Sequence, residues 1–328
     1  MKVLTTILRK AGAALIGGLM LSALPGFAAA EYPDKPITVI VAYSPGGATD
    51  FQARIVTMMA AEEELLGEPM VIVNKPGAGG QVGWNWFAEQ ASHDGYDLAA
   101  YNVPHFIAQS IVFDTKYNVD NLEPIANWGA DPAVLIVGKD SPFNTVQDLV
   151  DYAKKNPGKV TVSGAGLYVG HHIASLQLED AADIKLTYVP TKGGVPALQY
   201  VMGGKVMAGF NNLSDAYRSR DRLKILAVAD MERNTEFLPD VPTFKESGID
   251  VDDSSVNFRG IMAPKGTPQE VIDKLAEKVP DMFQHKKVKA KMEAGGSPMR
   301  VLSREEVQAM WNKRQDYLEE LLADLRKK

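Results

Sequence analysis

The residues best placed for chemistry in this sequence are glycine and hydroxyl residues in three turns. Each turn follows an apolar strand-like stretch and precedes a stretch with helical spacing, and they run over residues 44–50, 76–83 and 163–170. Glycine lets the backbone approach an anion, and the first N–H groups of the following helix have no partner inside that helix. In an open α/β sheet such turns lie at the ligand-binding edge. The turns therefore predict an anion site built from main-chain N–H groups.

Catalytic and metal-binding patterns are weak by comparison. His171 and His172 are adjacent, so on a helix they point about 100° apart and do not share a metal-binding face. His93, His105 and His285 are scattered, and the chain has no cysteine. It also has no Gly-x-Ser-x-Gly turn to support a serine nucleophile. We therefore expect no catalytic residues, no metal and no cofactor, and an enzyme is the weaker interpretation.

Nucleotide binding is a further alternative. Residues 77–83 have the spacing of a dinucleotide-binding glycine loop, but they do not follow the first strand of their series. Gly203, Gly204 and Lys205 are followed by Val206 instead of the Ser or Thr of a phosphate-binding loop. A nucleotide is thus less well supported than a smaller anion.

The charge balance restricts the partners. The chain of 328 residues carries 35 Lys and Arg against 41 Asp and Glu, a formal charge of −6. Nucleic acids need a basic stripe for their phosphates, so we expect no nucleic acid partner. An acidic chain attracts anions only where a local site supplies hydrogen-bond donors, as the glycine turns do.

The first thirty residues have the order of a secretory signal. Lys2, Arg9 and Lys10 form a basic start, residues 11–27 are largely apolar, and residues 28–30 are alanines. A membrane-spanning helix is the alternative, but the apolar run is interrupted and shorter than the ~20 residues that a span needs. We expect residues 1–30 to be cleaved and the rest to be periplasmic.

The remaining sequence predicts an α/β fold in two lobes. Apolar β-branched runs alternate with helical stretches in two series, as in parallel sheets with crossover helices. Strand-like runs are interrupted near Asp131 and near Ala229, where we expect two crossing hinge strands. The predicted division assigns residues 31–131 and 229–328 to the first lobe and residues 132–228 to the second.

Taken in order, the turns and their flanking residues resemble the extracytoplasmic receptors of tripartite tricarboxylate transporters, also called Bug-type receptors. The resemblance covers essentially the whole chain after residue 30. The matching segments are Tyr32–Ile37, Tyr43–Asp50, Val73–Gly80, His93–Tyr96, Tyr152–Gly158, Val189–Gly194, Asp240–Thr243, Gly260–Pro264 and Gly266–Pro268.

The resemblance implies a periplasmic binding protein fold of the type II-like kind, with a cleft between its lobes. It implies a small carboxylate as ligand, delivery of that ligand to the membrane subunits of a tripartite tricarboxylate transporter, and a monomeric receptor. A ligand-sensing protein that partners a membrane signalling kinase is an alternative that the sequence does not separate from transport.

The turns and the resemblance together give a set of expected ligand-binding residues. Tyr168 departs from the small or hydroxyl residues usual in the second-lobe turn, and Phe258 stands where the family typically has tryptophan, so either ring is a candidate to stack on the ligand. The expected residues are Tyr43, Ser44, Gly46, Gly47, Asp50, Ala78, Gly79, Ser163, Gly164, Tyr168, His171, Thr191, Asn211 and Phe258.

Overall fold

The computed structural model describes residues 31–327, without the side chains of residues 324–327, so the predicted signal at residues 1–30 lies outside the described residues. From Tyr32 onward the chain forms two β-sheets, each packed against helices. The first elements are β1 (Ile37–Val41), α1 (Ala48–Val56), β2 (Met70–Asn74), α2 (Gln81–Gln90), β3 (Asp97–Val103), α3 (His105–Val112) and β4 (Leu122–Asp131).

The chain then builds a second sheet. Its elements are β5 (Ala133–Gly138), α4 (Val146–Lys155), β6 (Val160–Gly164), α5 (Gly170–Ala182), β7 (Leu186–Pro190), α6 (Gly194–Met202), β8 (Ala208–Asn212), α7 (Leu213–Arg218) and β9 (Leu223–Ala229). The chain finally returns to the first sheet through β10 (Asn257–Pro264), α8 (Gln269–Gln284), α9 (Lys286–Ala294), β11 (Met299–Leu302) and α10 (Arg304–Lys327).

The strand orders confirm the two-lobed α/β fold expected from the sequence. The first sheet has the order β11-β4-β10-β3-β1-β2, and the second has the order β7-β6-β8-β5-β9. Strands β1, β2 and β3 run parallel, as do β6, β7 and β8, so the turns that follow them lie at one edge of their sheet. Strand β10 is antiparallel to both β3 and β4.

Local sequence explains the best-predicted elements. Strand β1 is a β-branched run with four of its five residues buried. Helix α4 begins at a capping box, in which Thr145 accepts from the Asp148 N–H and the Asp148 side chain accepts from the Thr145 N–H. Helix α1 ends at Val56, where the Thr57 hydroxyl donates to the Ala53 carbonyl at 2.8 Å.

The chain passes between the sheets twice, once near the predicted position and once later. Pro132 alone separates β4 from β5, close to the crossing expected near Asp131. The return crossing expected near Ala229 lies instead at residues 252–255: Phe244 and Val251 pack in the core of the second sheet, and Val256 packs in that of the first. The interruption of the strand-like run near Ala229 does not mark the crossing, because residues 230–251 fold back onto the second lobe.

Candidate functional site

The three predicted turns come together where the lobes face each other. The Tyr43 hydroxyl, beside the first turn, donates to the Gly79 carbonyl of the second turn at 2.9 Å. A Cβ atom added to Gly166 in the third turn would lie 2.7 Å from the Gly79 Cα. Ala78 and Gly79 have φ of 45° and 68°, a left-handed backbone that brings this turn against the opposite lobe. The turns therefore form one site.

A small cavity lies between the lobes at this point. It encloses about 20 Å³, and a space of that size holds roughly one water molecule. Both lobes supply its wall, so the structure is a closed arrangement. The wall consists of Tyr43, Ser44, Gly47, Ala48, Thr49, Asn102, His105, Ala165, His171, Gly193, Gly194, Val195, Asn212, Asp215 and Asn257.

Two helices begin at this cavity, α1 from the first lobe and α6 from the second. Their N-cap residues are Gly47 and Gly193, and neither has a side chain that caps the first turn. First-turn N–H groups of a helix lack intrahelical partners and carry partial positive charge. The Ala48 N–H of α1 donates to the Asp215 carboxylate of the second lobe at 3.3 Å. The site thus collects main-chain donors from both lobes, as the glycine turns predict.

Two buried histidines supply N–H donors of their own. His171 Nδ1 accepts from the Ala165 N–H at 3.1 Å, so the neutral ring carries its proton on Nε2, which makes no hydrogen bond within ordinary geometry. Burial lowers the pKa of His171 to about 4, with a smaller opposite effect from the nearby Asn212 amide. His171 is therefore neutral at neutral pH and presents a donor.

His105 from α3 is the second of these donors. The Asn257 Nδ2 faces His105 Nε2 at 3.5 Å, and this assigns the acceptor role to Nε2 and the proton to Nδ1. His105 Nδ1 has no hydrogen-bond partner. Burial, then the nearby His171 and Arg259, lower the pKa of His105 well below its usual value. Both rings are thus uncharged donors in a wall that contains no lysine or arginine among the described residues.

An ion pair behind the cavity joins the site to the hinge. Arg259 of β10 donates to Asp131 at the end of β4 at 2.7 Å, and both side chains are fully buried. The Asp131 carboxylate also accepts from the Ser214 N–H at 3.1 Å, and Gln52 donates to it at 3.1 Å. Since Gln52 belongs to the first lobe and Ser214 to the second, this pair holds both lobes at the crossing.

Several expected site residues line the cavity, and others support its wall. Tyr43, Ser44, Gly47 and His171 are in the wall itself.

Asp50 shapes the first turn from within. It accepts from the Gly46 N–H at 2.9 Å, from Arg54 at 3.0 Å and from Asn74 at 2.9 Å. Burial alone would raise the pKa of Asp50, but these hydrogen bonds lower it overall. Asp50 and Gly46 thus fix the turn that presents Ser44.

Asn211 and Ser163 hold the start of α6 in place. Asn211 Nδ2 donates to the Gly194 carbonyl at 2.9 Å, and the Ser163 hydroxyl donates to the Ala197 carbonyl at 2.9 Å. Thr191 Oγ1 lies 3.0 Å from the Gly164 carbonyl oxygen and 2.8 Å from the Gly193 carbonyl oxygen. These residues position the wall without belonging to it.

The two aromatic candidates for stacking lie outside the cavity. The Tyr168 ring packs edge-on against Phe113 of the opposite lobe, with centroids 5.4 Å apart. Phe258 lies 5.5 Å from the guanidinium groups of both Arg300 and Arg314, in the wall of a separate cavity of about 630 Å³. The structure therefore does not bring Phe258 to the candidate site.

Sequence reasoning missed several wall residues. Gly193 and Gly194 lie in Val189–Gly194, one of the segments that carry the family resemblance, and Asn212 is adjacent to the expected Asn211. These three residues therefore had a signal in the sequence. Asn102, His105 and Asp215 have no signal in their neighbouring sequence. Only tertiary packing brings these three to the cavity.

The described residues lack a metal-binding cluster and a membrane-spanning helix. Within residues 31–327, no cluster of three or more His, Cys, Asp or Glu side chains has a metal-binding arrangement. In the same part of the chain, no helix combines the length and the apolar character that crossing a bilayer requires.

Comparison with known proteins identifies the family of this chain. Residues 53–315 match the model of the tripartite tricarboxylate transporter family receptor. A UPF0065 protein from the gbd 5′ region of Cupriavidus necator is 33% identical over 295 residues, 88% of each chain.

Solved structures of periplasmic binding proteins are similar as well. BugD, a periplasmic binding protein, has a TM-score of 0.82 at 29% identity, with 90% of this chain and 98% of that chain covered. MatC from Rhodopseudomonas palustris, solved with bound malate, has a TM-score of 0.80 at 26% identity, with 88% and 99% covered. These relatives are solute-binding receptors and not enzymes. The chain belongs to the receptor family of tripartite tricarboxylate transporters.

Proposed function

We propose that this protein captures a small carboxylate between its lobes in the periplasm and delivers it to the membrane subunits of a tripartite tricarboxylate transporter. One observation carries the proposal. The cavity between the lobes is walled by the starts of α1 and α6 and by His105 and His171, whose buried N–H groups have no partner. Such a wall binds a carboxylate without using a cationic side chain.

Binding energy explains why both lobes are needed. A hydrogen bond to a charged group contributes about 1.5–3 kcal/mol, whereas micromolar affinity requires about −8 kcal/mol after the loss of ligand freedom. The donors of one lobe are too few for this. A carboxylate that collects donors from both lobes favours the closed form over the open form, so capture and closure are one event.

The ligand is found by native mass spectrometry of protein purified without refolding, followed by a thermal-shift panel of carboxylates. We expect at least one carboxylate to raise the melting temperature and to bind by calorimetry. In the producing organism, deletion of the gene is expected to abolish uptake of that carboxylate. Failure of every carboxylate to bind would contradict capture, and unchanged uptake would contradict delivery.

Ser44 gives a direct test of the site. Its side chain lines the cavity, so Ser44→Ala removes a hydroxyl donor and is expected to weaken carboxylate binding about tenfold, the equivalent of one charge-assisted hydrogen bond. Ser141→Ala is the matched control, because Ser141 is also half-buried but lines a different cavity on the second lobe. Equal affinities of the two variants would place the ligand elsewhere.

A further inference from the structure

Asp215 is a carboxylate in the wall of a site that is otherwise suited to bind carboxylates. It lies on α7, and its residue is 4% exposed. Its Oδ2 atom is 3.3 Å from the Ala48 nitrogen and would be 2.9 Å from a Cβ atom added to Gly194. Asp215 therefore lies between the starts of α1 and α6, where main-chain donors of both lobes converge.

Among the described residues, Arg218 is the cation that pairs directly with Asp215, and Arg259 acts on it from beyond salt-bridge distance. Arg218 pairs with Asp215 Oδ1 from outside the cavity wall and also donates to the Gly295 carbonyl at 3.2 Å. Arg259, the next cation, is already paired with Asp131. Burial raises the pKa of Asp215, and Arg218 only partly opposes this effect. A second positive charge next to Asp215 would thus stabilise its ionised form, and a second negative charge would meet repulsion.

The unpartnered groups of the wall fall into two sets. His105 Nδ1 and His171 Nε2 are donors, and they match a carboxylate. The Asn102 amide nitrogen donates to Thr49 Oγ1 and to Asn257 Oδ1, and these bonds fix the orientation of the amide. Its oxygen, Asn102 Oδ1, is a buried acceptor with no hydrogen bond. Together with the Asp215 carboxylate, this oxygen forms an acceptor set that matches an ammonium group and repels a second carboxylate.

We infer that Asp215 selects ligands that carry one carboxylate and one ammonium group, amino acids in the broad sense, over dicarboxylates of the same skeleton. The inference rests on the proposed function and narrows its ligand class. When the lobes close around the ligand, the carboxylate lies against the two histidine donors and the first turn of α6, and the ammonium lies against Asp215 and Asn102. Selectivity then comes from repulsion of the wrong ligand as well as from attraction of the right one.

The test uses pairs of compounds in which an ammonium group replaces one carboxylate. Such pairs are methylmalonate and alanine, benzylmalonate and phenylalanine, succinate and β-alanine, and glutarate and γ-aminobutyrate. Binding is measured by calorimetry for wild type, Asp215→Asn and Glu123→Gln. Glu123 is the matched control, because its carboxylate is also largely buried and pairs with an arginine, Arg304 at 2.8 Å, but it lies near the start of β4 and outside the cavity wall.

In at least one pair, the wild type is expected to bind the ammonium member about tenfold more tightly or better, as one charge-assisted hydrogen bond implies. Asp215→Asn should lose that preference, through weaker amino acid binding and stronger dicarboxylate binding, and Glu123→Gln should keep it. Equal or tighter binding of dicarboxylates by the wild type would overturn the inference and leave carboxylate capture intact, even if Asp215→Asn failed to fold. An unchanged preference in folded Asp215→Asn would overturn it too. Absence of binding by every compound, together with a negative carboxylate panel, would contradict the proposed function itself.

Discussion

At the scale of single residues, the site depends on histidines that stay neutral because they are buried. A charged imidazolium in the cavity wall would need a counter-charge, whereas a neutral ring with one nitrogen already occupied offers a single N–H donor in a fixed direction. His171 is 1% exposed and His105 is 2% exposed, which explains why the pKa of each is lowered. Both rings therefore keep the same protonation state, and the same donors, across the neutral pH range. The free energy of unfolding decreases when the pH falls, because the unfolded chain binds protons that the buried rings do not.

His171→Asn is expected to reduce the acid sensitivity of folding. The pKa of His171 is about 4 in the folded state and about 6.5 when unfolded. The free energy of unfolding is therefore undiminished by this residue above pH 6.5 and decreases as the pH falls towards 4, because the unfolded chain binds the proton first. The whole decrease is about 3 kcal/mol. Urea unfolding at pH 7, 5.5 and 4.5 measures it. The Asn variant keeps an acceptor for the Ala165 N–H, and a slope as steep as in the wild type would contradict the prediction. The charged groups facing this ring are Arg259 and Asp131, which pair with each other.

Part of the cavity wall lies in or beside the predicted glycine turns. Ser44 and Gly47 belong to the first turn, His171 directly follows the third, and all three line the cavity. Ligand binding by these residues stays a prediction. Asp215 was out of reach, because it belongs to a six-residue helix whose sequence has no feature typical of a ligand site. Its role depends on the Ala48 N–H of the other lobe, a contact that no local pattern encodes.

At the scale of helices and strands, local sequence explains individual elements. Buried β-branched runs account for β1 and β6, and the Thr145 capping box accounts for the start of α4. The return crossing was misplaced, because residues 230–251 pack on the second lobe through scattered apolar residues without regular spacing. The glycine turns that precede the helices at the cavity can therefore be recognised in the sequence, whereas the position of the return crossing cannot.

The start of α5 allows a test of how closely an element must approach the crossing. A Cβ atom added to Gly170 would lie 2.5 Å from the Ser255 carbonyl oxygen and 3.3 Å from His105. Gly170→Ala therefore pushes α5 away from the return crossing and shifts His171 out of the wall. We expect ligand affinity to fall about tenfold, as for loss of one charge-assisted hydrogen bond, and closure on ligand to be less complete in small-angle scattering.

Gly138→Ala is the control for that substitution. A Cβ atom there would be 3.5 Å from the Val201 carbonyl oxygen, which is ordinary contact, and Gly138 lies at the end of β5. Both variants replace glycine by alanine within a regular element. If Gly170→Ala bound ligand as well as Gly138→Ala did, close approach of α5 to the crossing would be unnecessary for the site.

At the scale of the whole molecule, two crossings and one buried ion pair connect the lobes. The Arg259–Asp131 pair lies at the crossing and contacts Gln52 and Ser214 from opposite lobes, so movement of the lobes changes its surroundings. The pair itself joins two neighbouring strands of the first sheet, and the hydrogen bond from the Ser214 N–H to Asp131 links it to the second lobe in the closed arrangement, which brings α1 and α6 together.

The closed arrangement is too tight to admit a ligand without opening. A cavity of about 20 Å³ holds roughly one water molecule, so a carboxylate with several carbon atoms must enter while the lobes are apart. A cross-link between the lobes should then block entry and exit. Gly47 and Val195 face each other across the cavity, with an added Cβ on Gly47 lying 3.9 Å from Val195 Cγ2. Val195 Cγ2 is one bond from Cβ, so the two Cβ positions lie close enough for cysteines there to be tried as a disulfide pair, which needs a Cβ separation of roughly 3.5–4.5 Å.

The double variant Gly47→Cys with Val195→Cys makes this opening measurable, because the natural chain has no cysteine to compete. When it is oxidised before ligand is added, binding should be lost and should return on reduction. When it is oxidised after saturation, provided that the disulfide forms around the ligand, labelled ligand should remain bound through dialysis and leave on reduction. Each single-cysteine variant should exchange ligand under both conditions. Full binding by the oxidised double variant would mean that ligand reaches its site by a route other than separation of the lobes.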